Sequence, residues 1–331
     1  MFLLENYSTA VIFCVITMLC WGSWANTQKL AGQSWRFELY YWDYVIGIVL
    51  VTLLLAFTLG SFGSQGRSFV EDVSQANGEN LLSAVIGGVI FNAANILLVA
   101  AISIAGMSVA FPVGIGIALV LGVIVNYISA PEGNPAFLFA GVLLIVIAII
   151  LNAMAFKKLS SGSSSPTTKG LVLSVAAGLL MGFFYRFVAK GMFVDFAVPQ
   201  PGKISPYTAM VFFALGTLAS NIIFNTYIMR KPFVGLPVTF SQYFKGSFYN
   251  HLTGILGGII WGIGMSFSII ASGKAGAAIS YGLGQGATVI AAIWGIFIWK
   301  EFKNAPKKTS VLLNIMLVVY VLGIILIIYA H

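Results

Sequence analysis

Hydrophobic positions along the chain fall in long unbroken runs. They show neither the three-to-four spacing of a half-buried helix nor the alternation of a half-buried strand. A helix that crosses a bilayer needs about 20 consecutive apolar residues. Runs of that length lie near 9–29, 41–60, 82–102, 106–129, 136–155, 169–189, 207–228, 252–272, 276–299 and 310–330, with short polar connections between them. The predicted fold class is therefore an all-α integral membrane protein with ten transmembrane helices. Stretches such as "GVLLIVIAIILNAMAF" lack the apolar/polar alternation that a membrane β-barrel requires. The residues before the first run carry Glu5 and no basic residue, so no cleavable signal peptide is expected.

The runs also repeat. At a shift of 170 residues, "GGVIFNAANILLVAAISIAGMSVAFPVGIG" from Gly87 aligns without a gap on "GGIIWGIGMSFSIIASGKAGAAISYGLGQG" from Gly257. Gly87, Gly88, Gly106, Gly114 and Gly116 fall on Gly257, Gly258, Gly276, Gly284 and Gly286, Phe91 meets Trp261, and Phe111 meets Tyr281. At a shift of 160, Gly22 falls on Gly182. Residues 1–156 then form a first five-helix repeat and 169–331 a second. The Ser/Gly/Pro-rich stretch 157–168 reads as a flexible cytoplasmic linker. An odd number of spans per repeat forces opposite orientations in the membrane. Inverted repeats of this kind build alternating-access transporters, with the solute near the midplane between them.

Composition agrees: 59% of the 331 residues are hydrophobic and 8% are charged, far below the quarter or so of a soluble domain. In a soluble protein the net charge of +8 would point to nucleic acid. Here it follows topology, and no nucleic-acid partner is expected. Twelve basic residues (Lys29, Arg36, Lys157, Lys158, Lys169, Arg230, Lys231, Lys245, Lys300, Lys303, Lys307 and Lys308) lie in loops on one side. Only Arg67, Lys190, Lys203 and Lys274 lie on the other. The basic side is read as cytoplasmic, which places both termini outside the cell membrane. Cys14 and Cys20 share one span at a separation that suits neither a disulfide nor a metal site.

Polar groups inside hydrocarbon are costly and usually face a cavity. Trp21, Trp24 and Gln28 share a stripe of the first span, flanked by Asn26 and Lys29. Asn92 and Asn95 share a face of the third, and Tyr281 and Gln285 a face of the ninth. Tyr185 and Arg186 lie late in the sixth, where Arg186 either snorkels outward or pairs with Asp195 or the solute. With Trp261, these residues form the candidate solute site: aromatic planes and neutral amides suit a solute with apolar faces and hydroxyls, such as a sugar. No carboxylate is central in a span. Asp43 and Glu38, at the mouth of the second, are the candidates for proton coupling; for Asp43, a structural pairing with Lys29 or Arg36 is the alternative. His251 and His331 are isolated, "YGLGQG" lacks the strand, spacing and lysine of a phosphate loop, and no catalytic or metal-binding constellation appears. No enzymatic activity, cofactor or metal is expected.

The residues named so far carry a resemblance. Ten spans in a five-plus-five repeat resemble the drug/metabolite transporter superfamily. Within it, "CWGS" (20–23) and "SVAFPVGIGIALVLG" (108–122) are similar to motifs of the glucose/ribose porters, which fall here on Trp21, Gly22, Ser23, Pro112, Val113, Gly116, Leu119 and Val120. "YYWDY" (40–44) around Asp43, "NYI" at 126–128 and "IWGIFIWKEFKNAPKKTS" (293–310) resemble the ureide permeases of plants. Two positions depart: Phe111 stands where ureide permeases carry an acidic residue, and Ala118 where glucose porters carry a glutamine. The resemblance implies a secondary transporter of a small polar solute. The expectation is a sugar moved with protons, with a ureide or nucleobase permease, or a metabolite exporter, as the alternative.

Overall fold

A backbone in hydrocarbon must satisfy every N–H and C=O within its own segment, so apolar runs of this length become helices. The computed structural model describes residues 1–32, 35–63, 65–105, 107–159, 168–300 and 307–331. Its helices are α1 (Tyr7–Ser23), α2 (Ala25–Leu30), α3 (Phe37–Phe57), α4 (Phe69–Gln75), α5 (Gly78–Ala105), α6 (Met107–Ser129) and α7 (Pro135–Leu159). They continue as α8 (Thr168–Lys190), α9 (Pro206–Arg230), α10 (Phe240–Phe244), α11 (Phe248–Ala275), α12 (Ala277–Gly284), α13 (Ala287–Ile293), a π-helical turn Trp294–Ile298 and α14 (Lys307–Ile328).

Among the described residues nine helices are long and apolar enough to cross a membrane, and α6 adds a shorter apolar segment, Val113–Ser129. The chain is thus a multi-pass helical membrane protein. Polar caps set where the helices begin. The Asn6 side chain accepts from the Thr9 amide, 2.9 Å away, and Ser205 and Ser247 cap α9 and α11 in the same way. In two expected spans the helical hydrogen-bond ladder is interrupted while the backbone angles stay helical: at Trp24, between α1 and α2, and at Gln285–Gly286, between α12 and α13. The expected linker lies for the most part outside the described residues, at 160–167, as do the side chains of Phe111 and Pro112.

The helices pack in a definite order. α5 lies on α8 and α9, α11 on α1 and α3, α8 on α6, α3 on α9, and α14 on α7. Without a hydrophobic force between helices in lipid, close approach at small residues holds such contacts. Glycines do this at four places. A side chain at Gly258 would strike the Tyr44 carbonyl and one at Gly47 the Ile255 carbonyl, both across α3–α11. One at Gly88 would strike the Phe213 carbonyl and one at Gly216 the Val85 carbonyl, across α5–α9. Backbone cannot step aside as a flexible side chain can. Gly258→Ala is therefore expected to lower the melting temperature of the detergent-solubilised protein, by about 1–3 kcal/mol of overpacking. Gly78→Ala, with nothing near its Cβ position, is the control that leaves it unchanged. The start of α1 meets the end of α14, where the Tyr7 ring stacks on His331 at 3.8 Å and the Tyr7 hydroxyl donates to the Ile328 carbonyl at 2.6 Å.

Candidate functional site

Trp21 of α1 and Trp24, just past its end, reach a cavity of about 130 Å³ among α1, α5, α6, α8, α11 and the interrupted α12–α13. Phe91, Asn95, Phe184, Trp261, Gln285 and Thr288 complete most of its wall. Its core is a stack of rings. Trp261 lies 4.3 Å from Phe91, 5.9 Å from Trp21 and 5.9 Å from Phe213, each nearly parallel. Trp24 lies 4.8 Å from Tyr44. Local sequence makes room for this. Gly264 seats the Trp21 indole, since a Cβ there would stand 2.8 Å from it, and Gly22 lets Ala287 and Ile290 of α13 close in.

Polar groups are few and uncharged. Gln285 sits at the interruption itself, and Thr288 follows on the first turn of α13. The buried Trp21 indole N–H has no hydrogen-bond partner. Asn95 donates through Nδ2 to the Tyr41 hydroxyl at 3.1 Å, which donates to Asn92 Oδ1 at 2.9 Å; Asn92 Nδ2 donates to Ser220 Oγ at 2.9 Å. Among the described residues, no Lys, Arg, Asp, Glu or His lines the cavity. Beyond Phe184, Tyr281 donates to the carbonyls of Ala118 and Met181 at 3.2 and 3.1 Å, Tyr185 donates to the Ser268 carbonyl at 3.2 Å, and their rings meet at 5.3 Å.

Of the residues singled out by sequence, Trp21, Trp24, Asn95, Trp261 and Gln285 therefore come together around one cavity. The others sit elsewhere. Asn92 is two hydrogen bonds behind Asn95, through Tyr41, and Tyr185 and Tyr281 lie in the packed layer beyond the cavity. Asn26 accepts from the Trp299 indole at 2.6 Å, while neighbouring Ser23 accepts from Trp294 at 2.8 Å; both fasten α1–α2 to the π-helical turn. Gln28 is half-buried on α2 and outside the cavity wall. Arg186 is exposed on α8, one turn from its end, where a long side chain can carry its charge to the interface. Of the alternatives, a pairing with Asp195 is not formed: that carboxylate accepts from the Ala197 amide at 3.0 Å.

The carboxylates show a second correction. Asp43 pairs with neither Lys29 nor Arg36. It accepts from the Tyr243 hydroxyl at 2.7 Å and meets His251 Nδ1 at 2.9 Å, so His251 is not isolated. The Trp35 and Tyr243 rings pack on the edge of His251, at 5.4 and 4.9 Å. Burial and the Asp43 carboxylate raise the Tyr243 phenol above its ordinary range, which keeps it a donor. Glu38 pairs with Arg36 instead. Tyr41, Tyr44, Thr288, Tyr243 and His251 were not among the candidates. The aromatic density of "YYWDY" was a signal for the two tyrosines, but nothing local joins Asp43 to a histidine 208 positions away.

A multi-pass helical bundle with an uncharged, aromatic and amide-lined cavity between its helices is the build of a membrane transporter. The comparisons bear this out, and the chain belongs to the ureide permease family, whose model matches residues 40–169 and again 161–330. Ureide permease 1 of Arabidopsis thaliana is 22% identical over 98% of this chain and 97% of its own length. The glucose uptake protein GlcU of Bacillus subtilis is 24% identical over 93% and 95%. A solved crystal structure shares the fold, with a TM-score of 0.64 at 15% identity over 97% of this chain and 98% of that one.

Proposed function

We propose that this protein is a secondary active transporter of a small neutral polar solute, a sugar in the first reading, moved across the cell membrane with protons by alternating access. The observation that carries it is the cavity: stacked rings offer apolar faces, Asn95 and Gln285 offer amides, and no charged side chain among the described residues lines the wall. A ureide or nucleobase is the second reading, favoured by the family match over residues 40–169 and 161–330. Both solute classes are flat-faced, neutral and rich in hydrogen-bonding groups. A thermal-shift screen of purified protein against glucose, ribose, allantoin and uracil separates them, because a bound solute stabilises by mass action. Stabilisation by the sugars alone supports the first reading, by allantoin or uracil the second, and by none of the four overturns both.

Two features support an inverted repeat. Shifting every span by five turns the α5–α8 contact into α11–α1 and the α3–α11 contact into α9–α5, while α3–α9 and α7–α14 map onto themselves. Phe91 and Trp261, partners in the repeat alignment, stack on each other near the centre. Ten crossings also fit the meeting of Tyr7 with His331, because an even number returns the chain to its starting side. With the basic loops cytoplasmic, both termini lie outside, and the cavity is set in the half of α1 nearer Lys29, toward the cytoplasm. A single cysteine introduced at His331 should react with an impermeant maleimide in intact cells; protection there would invert the topology.

A further inference from the structure

We infer that Asn95 presents its carbonyl oxygen to the cavity, so that the solute must carry a hydrogen-bond donor at that point. Ser220, Asn92 and Tyr41 are the positioning residues that fix it. The inference rests on the cavity being the solute site and adds the polarity of one contact within it.

The direction of the hydrogen bonds follows from the far end. Ser220 Oγ lies 2.8 Å from the Gly216 carbonyl oxygen and 3.1 Å from that of Thr217. Neither carbonyl has a hydrogen to give, and two lone-pair oxygens at 2.8 Å repel unless a hydrogen lies between them. The serine proton is therefore committed to the backbone, and toward Asn92 the hydroxyl can only accept. The Asn92 atom 2.9 Å away must be Nδ2, which turns its Oδ1 to Tyr41. Tyr41 spends its one proton there, so its oxygen accepts from Asn95, and the Asn95 atom at 3.1 Å must be Nδ2. Amide orientation is otherwise ambiguous; here a backbone carbonyl removes the ambiguity across α9, α5 and α3.

With Nδ2 held by Tyr41, Oδ1 is the acceptor that Asn95 has left, beside the second hydrogen of Nδ2. Tyr41 and Asn92 are fully buried and Ser220 is 6% exposed, so water does not compete for the relay. The wall thus asks for a group that gives at Asn95. A hydroxyl or a ring amide does so, whereas an ether, a fluoride or an N-methyl amide fails there. Rejection should be sharp, because a buried acceptor left unpaired is penalised in full.

The test uses purified protein, two ligand series and one measurement without ligand. The series are D-glucose with its monofluoro-monodeoxy analogues, in which one hydroxyl donor is lost at a time, and hydantoin with its N-methyl derivatives. In the series that binds, one analogue is expected to bind about tenfold more weakly or worse than its parent. Tyr41→Phe frees the Asn95 amide to turn and should bring that ratio to within about threefold while the parent still binds. In protein labelled on asparagine, the Asn95 side-chain amide should exchange slowly with deuterium, and faster in Tyr41→Phe. If that variant does not fold, Ser220→Ala, which removes only the anchor, carries both measurements with changes in the same direction. Uniform tolerance of donor-deleted analogues by a protein that binds the parent overturns the inference. So does fast exchange in the wild type, or exchange unmoved by either variant. If neither glucose nor hydantoin binds, the choice of solute fails by itself, and amide exchange still decides the relay.

Discussion

Trp261→Ala is expected to abolish transport and to destabilise the detergent-solubilised protein by about 3–5 kcal/mol, the range for emptying a buried aromatic site. Trp261 is 6% exposed and is the one ring that touches Trp21, Phe91, Phe213 and Tyr44 together. Its removal takes one ring contact from each of four aromatic side chains, and packing contacts are what hold helices together in lipid. Trp21→Ala makes the contrast. Trp21 is half-buried, so the fold should survive its loss while apparent affinity falls by about tenfold, from a lost aromatic plane and its apolar contact. Melting curves and uptake kinetics at matched surface expression check both. Equal stability of Trp261→Ala and wild type would mean the stack does not hold the bundle; wild-type affinity in Trp21→Ala would reduce that residue to an interfacial anchor.

The spans were legible because the bilayer imposes a length and a composition that few soluble sequences meet. Their interruptions were not. Trp24 and the Gln285–Gly286 pair sit in windows that stay apolar, so nothing in hydropathy marks where the hydrogen-bond ladder is interrupted. The site was half legible for a related reason. Trp21, Asn95, Trp261 and Gln285 stand out as polar or aromatic groups in hydrocarbon, and the cavity gathers them. Which way such a residue faces depends on the rotation of its helix, and a helix apolar all round carries no stripe to read it from. Asn26 and Tyr281, chosen on the same grounds, turn to Trp299 and to backbone carbonyls instead. The Asp43–His251 contact depends on α3 and α11 closing at Gly254, where a side chain would strike Asp43, and that is tertiary information.

Asp43→Asn is expected to eliminate accumulation driven by a pH gradient while preserving counterflow exchange of labelled solute. Asp43 is the carboxylate that three elements converge on: α3 carries it, Tyr243 of α10 donates to it at 2.7 Å, and His251 of α11 meets it at 2.9 Å. Asparagine keeps the size and can still accept from Tyr243, so the cluster should hold its shape. What it loses is the negative charge, and with it the ability to take up a proton on one side and release it on the other. Coupling requires that step; exchange of bound solute for free solute does not. His251→Gln should have a smaller effect, because it removes a neighbour of the carboxylate and leaves the carboxylate itself. The measurement is uptake into proteoliposomes with and without an imposed pH gradient, beside counterflow in the same preparation. Accumulation that persists in Asp43→Asn would take this carboxylate out of the coupling step, whereas loss of counterflow as well would make Asp43 a structural clamp between α3, α10 and α11.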